Sequence, residues 1–505
     1  MIDTKALRQK ILDMAIKGKL VPQDPNDEPA SVLLEHIRAE KQQLIKEGKI
    51  KKDKNDSVIF KGADNRYYEN LPCGWSVSTL SQVTSSQLLN DGDWILSENM
   101  DPNGNVKLIQ LGSIGLMRYI DKGFKYLTED TFHKLSCTQI FPGYMLINRI
   151  ISDKMYACIL PQLEGKLITT VDTCWIAPKD EWYNLKYLMY FISSTVFQSI
   201  VLHVSSGTTR KRISKSDLIH LPIYLPPLSE QQRIISRVDE LFEQIDIIEK
   251  NKADIDALYD EFRKRTLTLA IQGKLVPQDP NDEPASVLIE RIRAEKKAKL
   301  GKKYVDSYIY KGDDNCYYEK VGTNEPVRLD NLPFDIPDSW CWARLGNIGD
   351  WGAGVTPART NSQYYGGNIP WLKTGELNND IIYGSEEHIT DEALKECSLR
   401  YCRIGDVLIA MYGATIGKLA IAGVPLTTNQ ACCACTPYEG IYNFYLFYFL
   451  MEEKDNFTQM GFGGAQPNIS KEKIIKHLFP VPPYEEQKEI VSTFISIQNI
   501  LKDEN

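Results

Sequence analysis

The sequence predicts two similar globular halves that are held apart by long helices. The first observation behind this prediction is an internal repeat: residues 18–33, GKLVPQDPNDEPASVL, recur without change at residues 273–288, which lie 255 positions later. The second is a run of apolar residues between the halves whose spacing alternates between four and three, as in a coiled coil. A segment that recurs in this way indicates a duplicated structural unit.

Other segments keep nearly the same separation, so the repeat extends along the whole chain. The aligned pairs are 61–69 with 311–319, 225–232 with 481–488, 109–114 with 372–377, and 142–147 with 404–409. The flanks of the halves match closely, whereas the middles have diverged. Flanks with nearly identical sequences indicate either a recent duplication or a common surface that both halves present, and we favour the common surface. The divergent middles would then carry two different specificities on one frame.

A long helix is predicted over residues 230–269, after the Pro226-Pro227 pair, with Ser229 as its N-cap. Its apolar seam consists of Ile234, Val238, Leu241, Ile245, Ile248, Ile255, Tyr259, Phe262 and Leu269, with interruptions at Lys252 and Thr266. Such a seam favours a coiled coil over a helix that lies on a globular core. About forty residues would form a rod of roughly 60 Å, which could separate two domains at a fixed distance.

The two chain ends resemble the two parts of this helix. Near the carboxyl end, the first part of the seam is repeated by Ile490, Phe494, Ile497 and Leu501. Near the amino end, the second part is matched by Leu7, Ile11 and Met14. We expect the two ends to lie together and form a second rod, which makes the molecule pseudo-circular: domain, helix, domain, helix. The alternative is that both ends are ordinary terminal helices.

A further helix is predicted after each copied segment. Pro29 and Pro284 fit the first turn of a helix, and Asp27 and Asp282 fit the cap position before it. The high charge of these helices is typical of a solvated outer face. The alternative is a surface on which a partner protein docks.

Composition limits the compartment and the function. The chain has 505 residues, of which 43% are hydrophobic, and its 11 cysteines follow no regular spacing, which suits a reducing compartment. The amino end lacks the apolar run of a secretory leader, and the longest apolar stretch, 441–451, is too short to cross a membrane. We therefore expect a cytoplasmic protein without membrane contact. The net charge of −8 argues against a protein that coats nucleic acid alone, so any reading of DNA would depend on partners.

The sequence contains no motif for a catalytic centre, a cofactor or a metal ion. Residues 481–484 (VPPY) and 225–228 (LPPL) lack the Asn or Asp that a DNA amino-methyltransferase needs before its prolines, and we interpret them as strand-to-helix junctions. Residues 461–466 (GFGGAQ) lack the spacing of a nucleotide-binding loop, and no P-loop lysine motif is present. A cysteine cluster lacks the spacing of zinc ligands, and we expect residues 431–435 (ACCAC) to pack in a buried strand. The cluster consists of Cys397, Cys402, Cys432, Cys433 and Cys435.

The sequence resembles type I restriction–modification specificity subunits in four features taken together. These are the repeat, the two helix starts of the form Pro-Pro-x-x-Glu-Gln, DGDWI at residues 91–95 and GATIGKLAI at residues 413–421. The resemblance covers essentially the whole chain. It implies an α+β fold in which two mixed α/β target-recognition domains are separated by long helices that pair as an antiparallel coiled coil, pseudo-twofold and pseudo-circular. It also implies a non-catalytic subunit without a cofactor.

The resemblance implies a function that is shared with partners. Each target-recognition domain would read one half of a bipartite, asymmetric target in double-stranded DNA, and the helices would set the gap between the halves. Two copies of an adenine methyltransferase subunit would dock on the conserved regions, and translocase–endonuclease (restriction) subunits would join them. Two identical partners need two equivalent docking sites, which would explain the duplicated flanks. The alternative is a coiled-coil scaffold without sequence-specific DNA recognition, although it leaves the two divergent halves unexplained.

This pattern divides the chain into five predicted regions. They are residues 1–17, the first part of a distal helical region; 18–227, the first target-recognition domain with its conserved flank; 228–272, the central coiled-coil helix; 273–483, the second target-recognition domain with its conserved flank; and 484–505, the remainder of the distal helical region.

Candidate DNA contacts lie on loops that could reach a groove. Residues 207–215 align with 463–471, so one loop position carries arginine and lysine in the first half, which suit guanine or phosphate, and glutamine and asparagine in the second, which suit adenine. The predicted contact residues are Gln110, Ser113, Thr208, Thr209, Arg210, Lys211, Arg212, Lys215, Lys373, Tyr412, Thr415, Gln466, Asn468 and Lys471. The alternative for each is a surface loop that only positions the fold.

Overall fold

The protein is described from a computed structural model, which describes residues 2–50, 71–151, 153–205, 207, 211–461 and 468–503. The chain divides into two compact units, Met1–Ala253 and Asp254–Asn505. The boundary between the units falls inside one long helix, so each unit contains one end of that helix.

The first unit contains helices and short strands in alternation. Its helices are α1 (Thr4–Ile16), α2 (Ala30–Lys46), α3 (Leu80–Val83), α4 (Glu129–Lys134), α5 (Leu185–Ser193), α6 (Thr195–Val204), α7 (Lys215–His220) and the start of α8 (Leu228–Ile271). Its strands are β1 (Ser76–Thr79), β2 (Leu89–Asp91), β3 (Val106–Ile109), β4 (Phe124–Leu127), β5 (Met145–Asn148), β6 (Ile150–Ile151), β7 (Ala157–Ile159), β8 (Lys166–Thr169), β9 (Thr173–Ile176), β10 (Lys211–Arg212) and β11 (Pro222–Leu225).

Two main sheets form the first unit. One has the antiparallel order β2-β9-β5-β7, and the other has the order β4-β3-β8, in which β3 and β8 run parallel. All four residues of β5 are buried, as expected for a central strand that is covered on both faces. The apolar helices α5 and α6 pack in the same core as Met145 and Ile147 of this strand. The pairs β1-β11 and β6-β10 are the other strand pairs among the described residues of this unit.

The second unit begins within α8 and extends to the end of the described chain. Its further helices are α9 (Ala285–Leu300), α10 (Leu345–Ile348), α11 (Asp391–Glu396), α12 (Asn443–Glu452), α13 (Lys454–Gly461), α14 (Lys471–Ile475) and α15 (Tyr484–Asp503). Its strands are β12 (Ser307–Lys311), β13 (Tyr317–Val321), β14 (Val327–Arg328), β15 (Cys341–Arg344), β16 (Gly349–Ala353), β17 (Tyr365–Leu372), β18 (Asp380–Ile382), β19 (Glu387–Ile389), β20 (Val407–Ala410), β21 (Leu419–Ala422), β22 (Thr427–Thr428), β23 (Cys432–Pro437) and β24 (Leu478–Val481).

The two units share one topology. The order β16-β23-β20-β21 repeats β2-β9-β5-β7, the order β19-β17-β22 repeats β4-β3-β8, and the pair β15-β24 repeats β1-β11. The second unit adds β18 beside β21 and a separate sheet β12-β13-β14. The first copy of that sheet's sequence, at residues 61–69, lies outside the described residues. The middles have therefore diverged on a constant frame, and the predicted fold of two mixed α/β domains separated by a long helix is confirmed.

A buried glutamate holds the copied segment inside the first unit. Glu230, at the start of α8, is fully buried and accepts hydrogen bonds from Gln23 Nε2 and Trp75 Nε1, both at 3.0 Å. Gln23 belongs to the copied segment, and Trp75 directly precedes β1. One carboxylate therefore joins the copied segment, the sheet and the long helix. We call it the clamp glutamate of its unit.

The second unit has the same arrangement. Its clamp glutamate, Glu486, accepts hydrogen bonds from Gln278 Nε2 at 2.6 Å and from Trp340 Nε1 at 2.9 Å. Burial raises the pKa of Glu486, and the two hydrogen bonds oppose the rise. Gln23 and Gln278, which occupy the same place in the two copies, thus serve the same buried contact.

The residue after each clamp glutamate is a buried glutamine that fixes the strand-to-helix junction. Gln231 Nε2 and Gln487 Nε2 each donate to the carbonyl of the first proline of their Pro-Pro pair, at 3.1 and 3.0 Å. Each amide oxygen accepts from the backbone N–H of the residue that precedes α5 or α12, which is Asn184 at 3.0 Å and Tyr442 at 2.8 Å. Both Pro-Pro segments connect a strand to a helix, as predicted.

Two kinds of predicted helix cap are wrong. α2 and α9 begin after Pro29 and Pro284 without any side-chain cap, so neither copied aspartate caps its helix. Asp27 instead accepts hydrogen bonds from Ser229 at 2.5 Å and from Arg233 at 2.6 and 3.2 Å, and the Arg233 contact lowers the pKa of Asp27. Ser229 lies inside α8 and donates to a residue 202 positions away. The caps were predicted from residues near each helix start in the sequence, and such a prediction does not consider partners that are distant in sequence.

The two ends of α8 are parts of the two cores. This helix of 44 residues is slightly longer than predicted. The first core contains Ile234, Val238 and Ile245, and the second contains Leu267, Ala270 and Ile271. Of the apolar seam positions between them, Tyr259 is half-buried and three are exposed: Ile248 by 41%, Ile255 by 46% and Phe262 by 50%. The apolar spacing predicted the helix, but it did not distinguish the ends packed on a core from the rod between them.

The helices at the chain ends each contact the part of α8 in their own unit. In the first unit, Arg8 of α1 forms ion pairs with Asp246 at 2.6 Å and with Glu249 at 3.2 Å. In the second unit, Arg263 of α8 donates a hydrogen bond to Gln498 of α15. The union of the two chain ends into one rod stays a prediction.

Among the described residues, no single helix is long and apolar enough to span a membrane. Only α5 and α6 taken together reach that length and apolarity, and a bend of 68° separates them.

We predict that Trp340→Phe lowers the free energy of unfolding by about 1–3 kcal/mol, because it removes a donor from a buried carboxylate. The matched control is Trp342→Phe: Trp342 is also buried, but its Nε1 has no hydrogen-bond partner among the described residues. Urea denaturation of the full chain, followed by far-ultraviolet circular dichroism, measures both. An equal loss of unfolding free energy in the two variants would contradict a stabilising role of the hydrogen bond to Glu486, since the loss would then come only from the packing of the rings.

Candidate functional site

Nine of the fourteen predicted contact residues lie between α6 and α7 or between α13 and α14, if the first residues of α7 and α14 are included. Four predicted residues lie outside the described part of the chain: Thr208, Thr209, Arg210 and Gln466. We call residues 211–215 the first exit segment and residues 468–471 the second exit segment. Lys211 and Arg212 form β10, and both are exposed.

Each exit segment pairs with the chain that follows the central strand of the main sheet. Arg212 pairs with Ile150, and Asn468 pairs with Tyr412, both in antiparallel register. Ile150 and Tyr412 occupy the same place, because each lies two residues beyond the end of its strand, β5 or β20. Thr415 Oγ1 donates to the carbonyl of Tyr412 at 2.8 Å. The structure thus brings together Tyr412 and Asn468, which the sequence had placed on separate loops.

Each exit segment ends in a lysine at the start of a short helix. Lys215 and Lys471 are the first residues of α7 and α14, and the preceding serine caps each helix. Lys215 Nζ donates to Asn90 Oδ1 at 2.6 Å, which ties the first exit segment to β2. A cation at a helix N-terminus is disfavoured by the helix dipole. The charge of these lysines therefore does not stabilise their helices.

The second pair of predicted loops follows the central strand of the smaller sheet. Gln110 comes directly after β3, and its Nε2 donates to carbonyls in the 122–123 turn at 3.1 and 3.3 Å. Lys373 comes directly after β17 and forms an ion pair with Glu387. Ser113, in contrast, is fully buried, so its hydroxyl is not presented at the surface of this chain.

The structure adds residues that the sequence did not place in a site. Arg149, directly after β5, is almost fully buried, and its Nε lies 3.3 Å from Asp91 Oδ1. Burial raises the pKa of Asp91, and the neighbouring cations oppose the rise. Arg212 forms an ion pair with Asp172 at 2.9 Å, and Trp94 is 67% exposed. Asp91 and Trp94 belong to the DGDWI motif, which the sequence offered only as a sign of family resemblance.

One glycine in each unit allows the two sheets to meet beside this site. A Cβ atom at Gly92 would lie 2.4 Å from the carbonyl oxygens of Thr169 and Thr170, and one at Gly354 would lie 2.2 Å from the carbonyl oxygen of Thr428. Both glycines directly follow the edge strand of the main sheet, β2 or β16, and touch the end of β8 or β22. No side chain fits between these backbones.

The cysteine cluster lies mainly inside a strand. Cys432, Cys433 and Cys435 belong to β23 and are buried, as expected for small apolar side chains. Burial raises the pKa of Cys433 to about 12. Within the described ranges, no three His, Cys, Asp or Glu side chains lie close enough together to hold a metal ion.

We predict that Gly92→Ala lowers the free energy of unfolding by about 1–3 kcal/mol, since the added methyl group collides with backbone that cannot move freely. Gly112→Ala is the matched control, because a Cβ atom at Gly112 would meet nothing within 4 Å. It should change stability by no more than about 0.5 kcal/mol. Urea denaturation compares the two variants, and a Gly92→Ala protein as stable as the control would refute the close contact.

Comparison with known proteins agrees with the repeated topology. The family model for the type I restriction modification DNA specificity domain matches residues 72–257 and residues 337–505, which together make up more than half of the chain. The first match covers the described sheets of the first unit, and the second covers the sheets of the second unit except β12-β13-β14. The same domain model therefore describes both halves.

Similar proteins carry names of one kind. The type I restriction enzyme EcoAI specificity subunit of Escherichia coli is 28% identical over 550 residues, covering 97% of this chain and 88% of that protein. The EcoEI specificity subunit of Escherichia coli is 30% identical over 411 residues, covering 70% of this chain and 63% of that protein. A solved chain from a study of complex assembly and conformational transition of the type I R-M system has the same fold, with a TM-score of 0.54, 20% identity, and coverage of 86% of this chain and 92% of that chain.

Proposed function

The chain belongs to the family of type I restriction–modification specificity subunits, and from this we propose the task that its geometry supports best. It recognises a bipartite, asymmetric target in double-stranded DNA, one half through each unit, and directs adenine methyltransferase and translocase–endonuclease subunits to that target. The observation that carries this proposal is a single backbone frame, present twice, with different side chains at corresponding loop positions.

The two exit segments offer different groups to a base. Arg212 in the first unit occupies the place of Asn468 in the second. A guanidinium suits guanine or phosphate, whereas an asparagine amide suits adenine. On the second pair of loops the order is reversed, with the amide of Gln110 in the first unit and the cation of Lys373 in the second. Two different readers on one frame favour an asymmetric target, because two equal readers would favour a symmetric one.

The continuity of α8 supports a fixed gap between the half-sites. Its 44 residues form one unbroken helix, and each end is buried in the core of one unit. A helix of this size is about 66 Å long. Neither end is joined to its core through a loop, which suits the proposed role of α8 as the spacer between the half-sites.

The copied segments support docking of two identical methyltransferase subunits. The clamp uses one glutamine of each copy, Gln23 or Gln278, and does not account for the other exposed residues of the segment. Glu28 and Ser31 are exposed in the first copy, and Glu283 and Ser286 are exposed in the second. Two equal partners need two equal surfaces, and these identical exposed residues provide them. The acidic chain leaves most phosphate contacts to such partners.

Methylation mapping tests the proposed function. The chain is co-expressed with the methyltransferase subunit of its own system in a host without adenine methylation, and modified adenines are located by single-molecule sequencing. We expect a split motif with a fixed unspecified gap. Arg212→Ala should relax one half-site and Asn468→Ala the other, each by about 1–3 kcal/mol of base discrimination.

A contiguous motif would contradict the two-reader proposal. So would relaxation of both half-sites by either single substitution, because each unit would then not read its own half. No modification by a complex that co-purifies with an active methyltransferase would support the alternative of a scaffold without sequence recognition.

A further inference from the structure

The first unit contains a buried arginine, Arg149, that has no role in the function proposed above. Arg149 is only 4% exposed, and its Nε lies 3.3 Å from Asp91 Oδ1. The rest of its guanidinium donates hydrogen bonds to the carbonyl of Val171 and, at 3.4 Å, to the carbonyl of Ile213. A guanidinium is always charged, so its burial requires such acceptors. One side chain therefore contacts β2, the turn after β8 and the first exit segment.

The backbone of the same residue strengthens this link. The N–H of Arg149 donates to the carbonyl of Asp172 at 2.9 Å, and its carbonyl accepts from the N–H of Ile213 at 3.1 Å. The side chain of Asp172 in turn pairs with Arg212 at 2.9 Å. Arg149 is thus connected to both residues at the centre of the first exit segment, one directly and one through Asp172.

The second unit keeps the backbone contact and lacks the charges. Met411 occupies the place of Arg149, because the N–H of Ile469 donates to the carbonyl of Met411 at 2.9 Å in the same way. Ala353 occupies the place of Asp91, because each is the last residue of the edge strand in its main sheet. The fold of a unit therefore does not require the ion pair. A buried ion pair is weak support for stability, so a different reason for its presence in the first unit is needed.

We propose that Arg149, together with Asp91, is a positioning residue that holds the first exit segment in the register with which the first unit reads its half-site. This inference rests on the proposed function. Arg149 itself touches no base, because it is buried; it acts through Arg212 and Lys215, which the segment carries. The second unit positions its own segment through an apolar side chain and is independent of this pair.

The duplicated frame supplies the variant that tests this proposal. Replacing one member of a buried pair leaves the other charge uncompensated, so Arg149→Met alone can fail to fold. The double substitution Arg149→Met with Asp91→Ala copies the second unit and removes both charges at once. Arg149→Lys keeps a charge but loses the planar fork that reaches several acceptors. Met411→Leu is the matched control at the corresponding place in the second unit.

Each protein is purified as its complex with the methyltransferase subunit. Methylation rates are measured on duplexes that carry every single-base change in either half-site, and thermal unfolding is recorded by circular dichroism. We expect the double variant to assemble and to retain discrimination at the second half-site within about twofold. Its discrimination at the first half-site should fall about tenfold or more. Arg149→Lys should restore part of that discrimination, and Met411→Leu should leave the first half-site unchanged.

The inference is overturned if the double variant discriminates at the first half-site as the wild type does, because the pair would then be only structural. An equal loss at both half-sites also overturns it, since that pattern indicates a general defect. If the wild-type complex itself recognises no split target, the proposed function fails instead. The wild-type measurement therefore distinguishes failure of the inference from failure of its premise.

Discussion

A buried carboxylate at the start of a long helix holds each unit together. Glu230 and Glu486 are removed from water, which is costly for a charge unless hydrogen bonds replace the solvent. In each unit a tryptophan beside the sheet and a glutamine from the copied segment provide those bonds. Parts of the chain that are far apart in sequence thus meet at one point. Within each unit this contact joins the copied segment, the start of the helix and the tryptophan that precedes β1 or β15.

The sequence predicted the structural features that arise from its repeat and from its periodic apolar residues. The exact copies at 18–33 and 273–288 predicted two units, the apolar spacing predicted α8, and the Pro-Pro segments predicted the junctions. Membership of the specificity-subunit family, which the motifs suggested, is confirmed by the domain matches. The helix caps were predicted wrongly, because Asp27 and Ser229 bind each other across 202 positions, and local rules consider only near neighbours.

The alignment of the two halves predicted which loops correspond in the candidate site, but it did not predict the contacts that hold those loops in place. Aligning the two halves placed Arg212 opposite Asn468, and the strand pairing of both residues agrees with that alignment. The contact between Asp91 and Arg149 could not be predicted, because it joins separate strands through a charge that is buried only after the sheets meet. Ser113 was chosen for its position in a loop, whereas the turn directs it into the core. Whether a side chain is exposed depends on how the chain packs, and an alignment of loop sequences gives no information about packing.

The central claim is that one frame carries two independent readers, and a domain exchange tests it most directly. Residues 76–225, from the start of β1 to the end of β11, are replaced by residues 341–481, from the start of β15 to the end of β24. This exchange leaves Trp75 and Glu230 of the clamp in place. Methylation mapping of the resulting complex should show the second half-site on both sides of the gap. An unchanged asymmetric motif from an assembled complex would contradict the account.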